Sequence, residues 1–381
     1  MANIRTVGAS GKDHTTIASA ITWMAANHDF DADGIATISI EDNAEYNENL
    51  NVTGIAGTPS SSAYLKFTVS LENRHLGVFG TGHARVRGVS SGSHVFTSSI
   101  AYTVYEYMQI FQDSTGNSDE CIRVNADNNL LSRSIIRARN QDQQDGVYIP
   151  SPFVTFSADN NVFQDCYRVG LHSQGAAGAR INTDYNTFIN CGGQDASGQA
   201  YGGIGIKTPG SSILNGWNNL AINCSGSHRL GFHVEGTLSS ISGNFNISCD
   251  TATNDASAES VFGATNNYGT VDVTDSTTPT SGEWVYVKSL TSPFNCGIAQ
   301  QSIFDVTSNG IDRTGSEPDS RQDFSTDIAG TARAKFTIGA FDFVEPDIPN
   351  FGVGAILNSD AFGLKGKLDS GEFGVKGILG V

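Results

Sequence analysis

The sequence predicts an all-β chain wound as a parallel β-helix. Three observations carry this. The 381 residues include 43 Gly but only 9 Pro, and only 16% are charged, with Asn, Ser, Thr and Asp abundant. That composition favours many turns and few helices. Segments of the form N-x4-C recur: Asn161-Val-Phe-Gln-Asp-Cys166, Asn186-Thr-Phe-Ile-Asn-Cys191, Asn219-Leu-Ala-Ile-Asn-Cys224 and Asn244-Phe-Asn-Ile-Ser-Cys249, spaced by 25, 33 and 25 residues. Short Gly-led strands lie between them, at Gly146-Val-Tyr-Ile149, Gly170-Leu-His-Ser173, Gly203-Ile-Gly-Ile206 and Gly231-Phe-His-Val234. A variable period of this size is the coil of a solenoid whose strands stack on equivalents above and below.

Taken in order, residues 1–30 read as a cap of one strand and one helix. Ile17, Ala20, Ile21 and Met24 fall at helical spacing, with Asp13, Thr15 or Thr16 placed to cap a helix that ends near Asn27. After Asp33-Gly34, residues 35–40 form a good strand and the β region runs on to about residue 345. Asn129-Leu-Leu-Ser-Arg-Ser134 reads as an earlier coil with Ser in place of Cys. The repeated Asn suits a left-handed bend and a side-chain hydrogen-bond ladder. Phe163, Phe188, Ile222 and Ile247 are expected to face the core with the cysteines. Cys121, Cys166, Cys191, Cys224, Cys249 and Cys296 make an even count, but equivalent coil positions predict stacked free thiols rather than disulfides. No zinc-ligand spacing is present, so neither metal nor cofactor is expected.

Residues 346–381 are a separate module. Pro346 and Pro349 break the strand pattern. Phe351, Phe362 and Phe373 then open three similar units, each ending in Leu357, Leu368 or Leu379. Their alternate positions form apolar stripes that three short strands cannot bury alone. These six residues are the expected docking or oligomerisation surface.

The formal charge of −17, from 22 basic and 39 acidic residues, argues against nucleic-acid and anionic-membrane partners. No apolar secretory segment follows Met1, and no stretch is long enough to insert in a membrane. A protein of this kind, made in a host cytoplasm, is expected to leave by lysis or a dedicated exporter.

Thr6-Val-Gly-Ala-Ser-Gly-Lys-Asp-His-Thr-Thr-Ile-Ala-Ser-Ala-Ile21 resembles the N-terminal cap of pectin-lyase-like right-handed parallel β-helix proteins. Asp327-Ile-Ala-Gly-Thr-Ala-Arg333 and Ile338-Gly-Ala-Phe341 are similar to a closing motif of the bacterial and phage members, with Thr337 and Asp342 departing from its acidic positions. The resemblance covers roughly residues 1–345. It implies a right-handed helix and leaves function open, because lyases, hydrolases, adhesins and virion spikes share this fold.

Candidate site residues follow from coil equivalence. His172 and His233 each lie two residues after a coil glycine, Tyr148 holds the corresponding place, and Lys207 is near in the intervening coil. Together they predict an outward aromatic and basic stripe for glycans, against the plain alternative of polar outward positions. Arg168, His228, Arg229 and Glu235 lie close by in sequence. If the chain is an enzyme, His172, His233 and Asp145 supply base and acid for glycosidic cleavage. Asp142 and Asp145 otherwise belong to a solvated acidic loop, and Asp184, Asp195 and Asp250 invite the same reading.

The leading expectation is a non-catalytic bacteriophage virion protein, a tailspike, tail fibre or capsid decoration, that attaches to host surface polysaccharide. It would assemble with other virion proteins and sister copies, with a trimer as the expected homo-oligomer. A phage-borne glycan depolymerase (lyase or hydrolase) and a bacterial surface adhesin are the alternatives. Truncation after Glu345 tests the tail. The shortened protein is expected to keep its β-sheet circular dichroism and to lose assembly by light scattering. Unfolding would make the tail a cap, and unchanged assembly would remove its docking role.

Overall fold

The computed structural model describes residues 3–249, together with 273–274, 285–287, 296–298, 321, 322 and 328. Loop residues 76, 78, 81, 116–118, 140–143, 151, 175–177, 193–201, 208–211, 223, 225–230, 236–237 and 244–245 fall outside the description. So do residues 346–381, and with them Phe351, Phe362, Phe373, Leu357, Leu368 and Leu379.

Three parallel sheets wrap one core, as expected. Sheet I has nine strands, from Ile4–Val7 to Ser240–Ser242. Sheet II has eight, from Glu45–Asn47 to Ile247–Cys249. Sheet III has seven, from Leu50–Val52 to Phe232–Glu235. After Ile4–Val7, which pairs with Ala36–Ile40, the chain visits sheets I, II and III in turn, and each strand pairs with the strand three strands later. Every coil therefore adds one rung to each sheet. Beyond Cys249 the described strands Val273–Thr274, Val285–Val287 and Cys296–Ile298 form a small separate sheet whose last pair is antiparallel. The solenoid expected to run to residue 345 is thus described only as far as Cys249.

The cap forms as its sequence dictates. Helix α1, Ile17–Asn27, buries Ile17, Ala20, Ile21 and Met24. Thr16 is the N-cap and its hydroxyl accepts from Ser19 N at 3.1 Å. Glu48 also reaches the helix start and accepts from Ile17 N and Ala18 N at 3.0 and 2.8 Å. A carboxylate there satisfies otherwise orphaned donors and meets the positive end of the helix dipole. A second helix, α2, is a single turn, Phe30–Asp33.

The repeated Asn does its work through its side chain. Asn161 Oδ1 accepts from Ser134 N at 2.8 Å, Asn186 Oδ1 from Asn161 N at 3.0 Å, and Asn219 Oδ1 from Asn186 N at 3.1 Å. Asn246 Oδ1 continues the ladder from Asn219 N at 3.1 Å. Each Nδ2 donates to a carbonyl at the end of the preceding rung of sheet I: Leu131 O, Ala158 O, Thr183 O and Gly216 O, all at 2.7–2.9 Å. An amide side chain accepts and donates at once, and in the coil before them Ser134 does both with its hydroxyl, accepting from Met108 N and donating to Ser132 O.

Three expectations are corrected here. The left-handed residue is the one before the ladder position: Arg133, Asn160, Tyr185 and Asn218 have φ of 46–58°. The early copy is centred on Ser134, not Asn129, and Asn129 instead accepts from Thr103 N at 2.7 Å. The last copy uses Asn246 rather than Asn244, which puts Cys249 level with Ile222 instead of with the other cysteines. By the same register, the partners of Phe163 and Phe188 are Ala221 and Ser248, not Ile222 and Ile247.

Phe163 and Phe188 stack in the core with centroids 4.7 Å apart. Cys121, Cys166, Cys191 and Cys224 are buried free thiols. Cys191 Sγ lies 3.5 Å from Phe163 O and Cys224 Sγ lies 3.7 Å from Phe188 O, so the thiols lean on the carbonyls of the previous coil. Burial pushes the Cys166 and Cys191 thiols up and keeps them protonated.

Asn186→Ala is expected to lower unfolding stability by about 2–4 kcal/mol, because several buried partners lose their bonds at once. Urea titration followed by circular dichroism measures it. A midpoint equal to wild type would contradict the ladder's structural weight.

Candidate functional site

The outer face of sheet III carries the predicted stripe. Its registers run Arg123↔Tyr148, Tyr148↔His172, His172↔Gly205 and Gly205↔His233. Tyr148, His172 and His233 therefore occupy one row. Lys207 does not: it pairs with Glu235, two residues along the strand, and Gly205 fills the row in that coil.

The structure brings Asp145, His172 and Tyr148 together on neighbouring strands. Asp145 opens strand Asp145–Ile149 and His172 lies in strand Val169–Ser173. His172 Nδ1 is 2.7 Å from Asp145 Oδ2, and Arg168 Nε donates to Asp145 Oδ1 at 2.9 Å. Arg168 Nη2 also bonds Asp145 Oδ2 and lies 3.1 Å from His172 Nδ1. Burial alone would raise the Asp145 carboxyl, but the charges of His172 and Arg168 and their hydrogen bonds outweigh it and hold it below the usual carboxylate range.

A second acid stands beside this pair. Glu120 precedes strand Ile122–Val124, and its neighbour Cys121 donates through N to Asp145 O at 3.2 Å. Its carboxylate forms an ion pair with His94 Nδ1. Burial pushes the Glu120 carboxyl up, with Asp145 adding to the rise and His94 and Arg168 opposing it. Glu120 and His94 were not predicted. The signal was present, because Glu120 lies 25 residues before Asp145, one short coil.

Exposure separates two layers. Asp145, His172 and Glu120 are at most 1% exposed and Arg168 7%. Arg123, Tyr148 and His233 are half-buried. Tyr148 stacks between its neighbours, its ring 5.3 Å from that of His172 and 5.4 Å from the Arg123 guanidinium, and its hydroxyl donates to Gln174 Oε1 at 2.8 Å. Arg123 has no carboxylate partner among the described residues. His228, Arg229, Asp142, Asp195 and Asp250 lie outside the description.

A third acidic pair occupies sheet I. Asp159 and Asp184 are registered neighbours and both are buried. Burial pushes the Asp159 carboxyl up to about 6, against the opposing pull of Arg133 and hydrogen bonds from Ser132, Gln322 and Asn160. Among the described residues no group of three or more His, Cys, Asp or Glu is arranged to hold a metal ion. No described helix is long and apolar enough to cross a membrane.

No protein-family model matches the chain, and no curated protein matches it. Among solved structures, pectin methylesterase from Aspergillus niger in deglycosylated form is similar over 69% of this chain and 94% of its own, at 13% identity and a TM-score of 0.37. Pectin methylesterase from carrot is similar over 70% of this chain and 87% of its own, at 10% identity and the same TM-score of 0.37. This likeness carries no activity and no site residue to the chain. The β-helix rests on the parallel registers themselves.

Asp145→Asn is expected to cost about 3–5 kcal/mol near neutral pH, since Arg168 is left buried without its counter-ion. The sign with pH follows from a depressed folded pKa: the wild-type carboxylate's contribution is full above its unfolded pKa and is lost as pH falls through the folded one. The gap between variant and wild type should therefore narrow in acid. Chemical denaturation at several pH values measures it, and a gap that stays constant or widens in acid would contradict the ion pair's role.

Proposed function

We propose that the chain is a non-catalytic solenoid of a bacteriophage particle, a tailspike, tail-fibre or capsid-decoration protein, that holds host surface glycans against the outer face of sheet III. The observation that carries the reading is the division of this face into two layers. The groups able to move protons, Asp145, His172 and Glu120, are sealed. The groups left at the surface are Arg123, resting on Tyr148, and His233. A cation without a carboxylate partner among the described residues and a tyrosine rim suit recognition of hydroxyl- and anion-bearing sugars. The rigid, regularly spaced rungs hold these contacts in line. The tail, residues 346–381, is assigned the contact with sister copies, as a trimer, or with a neighbouring virion protein.

One observation favours a second reading as a depolymerase. Glu120 is pushed up while Asp145 is held down, the divergence that separates an acid from a base at one site. Binding of purified host capsule or lipopolysaccharide glycans decides between them. Arg123→Ala and Tyr148→Ala are each expected to weaken glycan binding by about tenfold, or about 1.4 kcal/mol, with no oligosaccharide released by wild type. Release of oligosaccharides, abolished by His172→Ala, would establish the enzyme. Binding that neither surface variant weakens would remove sheet III as the contact face.

A further inference from the structure

The outer face of sheet I changes character along the solenoid. In strand Leu65–Val69 buried and half-buried residues alternate, as a sheet with one wet face requires. From Asn129–Ser132 to Ile213–Trp217 the alternation disappears, and the burial is gone again by Ser240–Ser242, which is open to solvent. Ser157, Asp159, Asn182, Asp184 and Asn215 alternate with core residues Phe156, Ala158, Ile181 and Leu214, yet they too are buried. Ser, Asn and Asp on an outer face are shut off from water only when something lies on them.

That covering is this chain's own, and Arg321 and Gln322 belong to it. Arg321 Nη1 donates to Tyr102 O at 2.8 Å and Nη2 to Asn128 O at 2.7 Å. Both acceptors belong to left-handed residues, with φ of 59° and 56°, at equivalent corners of successive coils. The guanidinium also lies 5.6 Å over the Tyr64 ring and 5.2 Å over the Tyr102 ring. Gln322 Nε2 then donates to Asp159 Oδ1 at 3.4 Å and to Asp184 Oδ2 at 3.3 Å. These partners lie on or beside five consecutive strands of sheet I, from Leu65–Val69 to Arg180–Asp184.

We infer that Arg321 and Gln322 form an intrachain strap that docks on the outer face of sheet I and ties this late pair of residues to the middle of the solenoid. The chemistry is selective at both residues. A planar fork reaches two carbonyls one rung apart in a fixed geometry and lies over the Tyr64 and Tyr102 rings, a combination a lysine's point charge does not match. An uncharged amide donates to two neighbouring acids, where a third carboxylate would be repelled. Asp159, pushed up to about 6 by burial, holds its proton more readily than an ordinary aspartate, which relieves its repulsion with Asp184. The surface is separate from the proposed glycan face on sheet III.

Trypsin tests this directly on the full chain, because Arg321 is itself a cleavage site that docking protects. Cleavage after Arg321 is expected to be about tenfold faster in Gln322→Glu and Gln322→Ala than in wild type, with the solenoid's thermal midpoint little changed. Equal cleavage rates would overturn the strap. So would global unfolding of both variants, which would make the segment part of the core. A second measurement fixes the owner of the segment. Chains carrying Asp184→Cys and Gln322→Cys are mixed in labelled and unlabelled form and oxidised. Disulfide-linked peptides of one isotope support the intrachain strap, and mixed-isotope pairs would overturn it in favour of exchange between copies.

Discussion

A side chain standing in for backbone is the interaction on which the solenoid depends. At the corner between sheets I and II the chain turns through a left-handed residue, and the next amide and a nearby carbonyl leave the sheet ladder. Asn161, Asn186, Asn219 and Asn246 receive both groups from the coil before them. Buried peptide groups must find partners, and asparagine supplies both in four successive coils, with Ser134 at the same position in the coil before. The thiols of Cys166, Cys191 and Cys224 sit five residues further on, small enough for the narrow core and polar enough to lean on carbonyls.

The same constraint governs the outer faces. An outward residue is fixed in a row by its rung, so its neighbours along the axis come from residues far away in sequence. That is how Asp145, Arg168 and His172 meet, and how Glu120 joins them from the coil before. Charges held so rigidly cannot relax toward water. Their protonation is set by burial and by one another, with Glu120 and Asp145 driven in opposite directions.

Much of this was legible in the sequence, and the exceptions have physical causes. The parallel β-helix, the capping helix and the free thiols follow from period, spacing and composition. The row containing Tyr148, His172 and His233 was readable because each lies at a constant offset from a coil glycine. Asn244 was chosen over Asn246 because both are Asn, and only the register separates them. Asn129 and Ser134 exchanged roles because a serine also offers an acceptor to the ladder, while an asparagine nearby copied the pattern by chance. Arg321 and Gln322 gave no signal at all. Their partners are 138 to 219 residues away, and no local pattern records a contact of that range.

The coils need not be of equal length. The link from Asn161 to Asn186 takes 25 residues and the link from Asn186 to Asn219 takes 33, yet the corner bonds at the two steps are 3.0 and 3.1 Å. Eight additional residues are absorbed without altering the rung. The interior of such a molecule is therefore indifferent to what is inserted between its corners. Loops between the corners can lengthen while the corner bonds that hold successive coils together persist.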